Sequence, residues 1–110
     1  LKGEKTMIEI KCDDLPNLVG HIGLPAMLEQ TAEEATEFAH ACLKYARFFR
    51  NENDTYKPVK EIEANFHEET ADIMLCIEEL VISGILDPLN VDDWTKQKVT
   101  RMKKRLDKEV

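Results

Sequence analysis

Cysteine is scarce. The 110-residue chain holds three, Cys12, Cys42 and Cys76. They form no Cys-x-x-Cys pair and no zinc-finger spacing, and an odd count does not close a disulfide framework. Free thiols in a cytoplasmic protein are the expectation. Histidine is equally sparse, and His21, His40 and His67 show no ligand spacing. No apolar run approaches the roughly 20 residues needed to span a bilayer. No stretch reads as a secretory signal, so no membrane partner is expected. A glycine-rich phosphate loop is missing as well. Basic residues are outnumbered, with 15 Lys and Arg against 22 Asp and Glu, for a formal net charge of −7. Duplex binding relies on Lys and Arg set against phosphates, so a nucleic-acid polymer is not an expected partner. An acidic protein that handles an anionic ligand needs metal ions as a bridge.

What is present fits a small helical protein. The length suits one domain spanning 1–110, large enough to bury roughly two-thirds of its extended-chain surface. Apolar residues make up 43% and charged residues 34%. Residues 1–24 hold Gly3, Pro16, Gly20 and Gly23 and read as the less regular part. Met7–Ile10 suits a short strand or a helical turn, and a short helix is expected around 13–20.

A long helix is predicted over 25–50. Pro25 suits the first turn, where its missing N–H is not needed, and the interior has no Gly or Pro. Leu28, Thr31, Ala35, Phe38, Cys42, Tyr45 and Phe49 alternate by three and four, which makes one apolar stripe. After a polar break at 51–55, a second helix is predicted over 58–83. Its stripe is Val59, Ile62, Phe66, Ile73, Ile77 and Leu80, and Gly84 supplies the stop. A third helix is expected from about 91, with Asn90 as N-cap and Leu89 and Trp94 as a hydrophobic staple. It carries the basic cluster of 96–108. These elements predict an all-α, antiparallel helical bundle. The stripes are wide enough to contact more than one neighbour, so oligomerisation should complete the core.

The informative segments are Glu33-Glu34-Ala35-Thr36-Glu37 and Glu68-Glu69-Thr70-Ala71-Asp72. At 100° per residue, with Thr31 and Phe66 as origins, Glu34 and Glu69 both fall at about 300°, beside the stripe. Glu37 and Asp72 both fall at about 240°, and Glu33 and Glu68 near 200°, facing water. Each helix thus presents an acid pair spaced i,i+3 at the same offset, and antiparallel packing would converge the pairs. Four carboxylates in one place repel unless cations or protons neutralise them. Oxygen-only ligands select hard cations such as Mg²⁺ or Mn²⁺. Without histidine, the set is neither a structural zinc site nor a di-iron bundle. The competing account is surface glutamates paired by chance in an acid-rich chain.

Glu34-x-x-Glu37 followed by Glu69-x-x-Asp72, each pair preceded by another Glu, resembles the MazG-like all-α nucleoside triphosphate pyrophosphohydrolases. Relatives in that group include the dimeric dUTPases and the dCTP pyrophosphatases. The resemblance covers roughly residues 25–106. It implies Mg²⁺-dependent hydrolysis of a nucleoside triphosphate between its α and β phosphates, giving a monophosphate and pyrophosphate. It also implies a homodimer or homotetramer with sites near subunit contacts. Glu34, Glu37, Glu69 and Asp72 would be the catalytic metal ligands. Lys98 and Arg101 match basic positions that bind substrate phosphates in the last helix, although Lys98-Val-Thr-Arg101 lacks the Asn found in many relatives. The subgroup, and with it the base and sugar, is left open by that departure.

Other residues carry two readings. Lys44, Arg47 and Arg50 could reach phosphates or serve as exposed helix charges. Glu33 and Glu68 are candidate proton acceptors only if they turn inward. His21 could approach a nucleotide, whereas His40 and His67 suit surface or structural roles. Tyr45, Phe49 and Trp94 could stack on a base, with core packing as the plainer job. A non-catalytic acidic interaction module and a metal-binding regulatory bundle are the alternative functions.

Overall fold

The computed structural model describes residues 14–52 and 57–109. Among these the chain is all α, with helices α1 (Leu15–Val19), α2 (Leu24–Phe49), α3 (Val59–Ile82) and α4 (Pro88–Glu109). No strand occurs among the described residues. The expected strand or turn at 7–10 and the Cys12 thiol lie outside them. No described helix is long and apolar enough to cross a membrane.

The two long helices fall within one residue of their expected ends, for local reasons. Pro25 sits in the first turn of α2 behind Gly23. Asn51 adopts a left-handed φ of 59° just past the end of α2, a conformation that Asn tolerates better than most residues. Gly84, at φ 85°, stops α3. The Leu86 N–H then donates to the Leu80 carbonyl at 3.2 Å and the Gly84 N–H to Val81 at 3.0 Å, which satisfies carbonyls that the helix end would leave open.

The third long helix begins earlier than expected. The Leu89 N–H donates to Asp87 Oδ1 at 2.9 Å, so Asp87 is the cap and Pro88 the first helical residue. Asn90 lies inside the helix. Asp-Pro is itself a cap followed by a favoured first residue, and it prevails over the later Asn90. The expected staple is missing too, since Leu89 is 74% and Trp94 55% exposed.

α2 and α3 pack antiparallel. Phe38 stacks on Phe66 with ring centroids 5.9 Å apart, and Tyr45 meets Phe66 edge-on at 5.3 Å. At the other end Met27 and Leu80 join Leu15 and Val19 of α1 in one buried cluster, with Ile22, Ile82 and Leu86 against it. The residues facing the partner on α2 are Met27, Thr31, Glu34, Phe38, Ala41, Tyr45 and Phe48, all buried or half-buried. On α3 they are Ile62, Phe66, Glu69, Ile73, Cys76 and Leu80. Both series step by four and three without interruption, the spacing of a coiled-coil seam. The seam is rotated from the apolar stripe read in the sequence by about 55° on α2 and about 30° on α3. Leu28 is 46% and Phe49 69% exposed, and Ala35 is exposed, so that side of the α2 stripe has no cover among the described residues.

α4 takes no part in this packing, and its described side chains are all exposed. Met27, at 2% exposure, is the most deeply buried large side chain. Met27→Ala should lower unfolding free energy by about 2–5 kcal/mol in urea titration. A loss well below 1 kcal/mol would place the core elsewhere.

Candidate metal centre

The seam geometry puts Glu34 and Glu69 where apolar side chains would otherwise meet. One carboxylate oxygen of each, Oε1, is shut from solvent and has no hydrogen-bond partner. Glu37, a turn along α2 from Glu34, completes the group from the exposed rim. One carboxylate oxygen from each of Glu34, Glu37 and Glu69 lies within 4.8 Å of the others. Asp72 stands one turn beyond Glu69. Its charge acts on both Glu34 and Glu69, and its side chain hydrogen-bonds to that of Glu69. Two carboxyl groups can share a hydrogen bond only when one holds a proton, so this contact belongs to the protonated state.

Burial raises the pKa of Glu34, and the charges of Glu37, Asp72, Glu69 and Glu33 raise it further. Glu69 is raised by burial first, then by Glu37, Asp72 and Glu68 and by its hydrogen bond to Asp72. The largest charge effects on these two groups come from carboxylates. Immediately along the seam, the Thr31 hydroxyl donates to the Met27 carbonyl at 2.7 Å and also pairs with Cys76. Burial pushes the Cys76 thiol up despite that contact. In the metal-free protein the neutral thiol is therefore the favoured form.

The residues present suit a divalent cation. The donors are oxygen only, two of the oxygens have no other partner, and uncompensated carboxylates next to one another are costly. An acidic ligand cluster able in principle to bind such an ion is therefore part of this fold. No protein-family model matches the chain, and no curated protein or solved structure matches it either.

The remaining sequence candidates are dispersed. Lys98 and Arg101 lie on α4, exposed and apart from the α2–α3 packing, so this chain alone does not bring them to the acids. Glu33 and Glu68 are exposed, as their wheel positions predict. His21 is exposed in the turn before α2. His67 is exposed, with Nδ1 at 2.8 Å from the Glu63 carbonyl. Tyr45 packs in the seam, but Phe49 and Trp94 are too exposed for the core role expected of them. Two polar residues that sequence reading did not single out for the site, Asn65 and its neighbour across the groove His40, line a cavity with Glu37 and Glu69. The available signal was register. In an antiparallel pair with Glu37 opposite Glu69, residue 65 falls between 40 and 44.

The raised carboxyls have a pH signature. Their folded pKa lies above the ordinary value of 4.5, so between those two values the native state holds more protons than the unfolded chain. Their stabilising contribution is complete below the unfolded pKa and is lost as pH rises through the folded pKa. The metal-free protein should therefore melt higher as pH falls from about 7 toward about 5. The gain should be smaller in a Glu34→Gln, Glu69→Gln variant. Mg²⁺ should raise the melting temperature near neutrality and do less at the acid end, where protons compete for the same oxygens. A Mg²⁺ effect that is absent, or unchanged by the two substitutions, would contradict the assignment.

Proposed function

We propose that this protein is a Mg²⁺-dependent nucleoside triphosphate pyrophosphohydrolase of the MazG-like kind, with Mn²⁺ as a possible substitute. The observation that carries the reading is the convergence of Glu34, Glu37 and Glu69 within 4.8 Å from two antiparallel helices. The order of the two acid pairs along the chain supports it. So do two seam oxygens with no other use.

In this reading Glu34, Glu37 and Glu69 hold the metal, and Asp72 completes the set. The bound ion would neutralise triphosphate oxygens and lower the pKa of a coordinated water. A carboxylate of the cluster not fully used in coordination would accept the proton from that water, while Glu33 and Glu68 point to solvent.

The reading includes a second copy of the chain. Leu24, Leu28 and Phe49 on α2, and Leu89, Met102 and Leu106 on α4, are 43–74% exposed. Apolar faces of this extent mark interaction surfaces. A homodimer or homotetramer would cover them, and Lys98 and Arg101 would approach phosphates only across such a contact. The free Cys42 and Cys76 thiols fit a cytoplasmic setting.

A panel of normal, deoxy and damaged nucleoside triphosphates, assayed with Mg²⁺ for pyrophosphate release, tests the activity. At least one should be turned over. Glu69→Gln should cut that rate roughly a hundredfold or more with helical content unchanged, while Glu33→Gln should do much less. Equal losses in both variants, or no turnover of any substrate, would refute the enzyme reading and favour a metal-binding module. Light scattering tests the assembly. A multiple of the 12.7 kDa chain mass is expected, and a monomer at micromolar concentration would contradict it.

A further inference from the structure

The acid cluster opens into a groove between α2 and α3. Its inner part, a cavity of about 180 Å³, is lined by Glu37, His40, Lys44, Asn65 and Glu69. Its outer part, about 270 Å³, is lined by Lys44, Lys57, Glu61, Ile62 and Asn65. Lys44 and Asn65 belong to both, so the two cavities meet between them. Glu37, His40 and Lys44 follow one face of α2, while Glu69, Asn65 and Glu61 follow the facing side of α3 in the opposite direction. Helical side chains lean toward their own N-terminus. Lys44 therefore leans back toward Glu37, and Glu69 leans toward Asn65, so both incline into the inner cavity.

Among the described residues Lys44 is the one Lys or Arg that lines the inner cavity, roughly 10 Å along the helix axis from Glu37. That distance is within the combined span of a lysine side chain and a metal-anchored phosphate chain. Arg47 and Arg50, its neighbours in sequence, line neither part. The outer cavity is mixed: Ile62 offers an apolar wall, Asn65 a carboxamide with both a donor and an acceptor, Lys57 a cation and Glu61 a carboxylate. With the phosphates anchored at the acid cluster, the apolar wall and the carboxamide beyond it suit the polar ring of a nucleoside.

We infer that this groove is the nucleoside side of the substrate site, with Lys44 binding a phosphate where the two cavities meet and Asn65 contacting the base or sugar beyond it. The inference rests on the acid cluster acting on nucleoside triphosphates and gives that substrate a direction. Its phosphates lie toward Glu37 and Glu69, and its nucleoside lies toward Ile62 and the N-terminal end of α3.

The test uses full-chain Lys44→Met, Lys44→Arg and Asn65→Leu, with circular dichroism to verify folding. The substrate is whichever triphosphate the unaltered protein hydrolyses best, and inorganic tripolyphosphate is the competitor. Lys44→Met should raise KM about tenfold or more and weaken tripolyphosphate inhibition in parallel, with Lys44→Arg recovering part of both. Asn65→Leu should change the ranking of bases or sugars and raise KM, yet leave tripolyphosphate inhibition alone. Mn²⁺ binding in the absence of nucleotide should match the unaltered protein in all three. Unaltered KM and ranking in both Lys44→Met and Asn65→Leu, with an active parent protein, would overturn the groove assignment alone. A parent protein that binds no Mn²⁺ and hydrolyses nothing would overturn the acid-cluster reading and this inference together.

Discussion

Glu34 and Glu69 occupy seam positions that Met27, Phe38, Ile62, Cys76 and Leu80 fill elsewhere with apolar surface. A carboxylate at such a position loses water and, when Glu37 and Asp72 stand beside it, gains only repulsion. The middle of the α2–α3 pair is thus held together by something other than its own contacts. A proton or a cation can serve, and the two orphaned oxygens meet no donor among the described residues. The rest of the structure is arranged around this weak point. The Met27–Leu80 cluster, closed by α1, clamps the pair at one end. The Phe38, Phe66 and Tyr45 rings clamp it at the other.

This arrangement links stability to ligand binding. A fold with apolar layers on both sides of an acid layer can keep its register while that layer remains unsatisfied. The acids are then preorganised for an ion. The same geometry sets the buried Cys76 thiol beside the acid layer. It also leaves the groove beyond Glu37 open for a molecule longer than the ion itself.

Much of the fold was legible in the sequence. Three-and-four spacing without Gly or Pro placed both long helices, and Gly84 marked a true stop. The rotation of the seam was harder to read. Leu28, Ala35 and Phe49 look like core residues, and on α2 they outnumber the evidence for the true line because Glu34 interrupts it. A pattern search that treats Glu as polar moves the stripe away from the acids, which placed them beside the seam when they lie in it. The helix start at Asp87 was missed because Asn90 offered an equally good cap with an apparent staple. Wheel offsets brought Glu34, Glu37 and Glu69 together as found, since they were measured from Thr31 and Phe66, which both lie in the seam. The place of α4 could not be read from one chain, because its side chains stay exposed among the described residues.

Glu34, Glu37 and Glu69 as ligands of one divalent ion is the claim on which the functional account stands. Crystals grown with Mn²⁺ and measured at its absorption edge would test it most directly, because anomalous scattering locates the ion without reference to activity. The account predicts a peak bonded to oxygens of all three carboxylates, between α2 and α3 and at the inner end of the groove. A map with full Mn²⁺ occupancy elsewhere on the protein, and none at these residues, would contradict it.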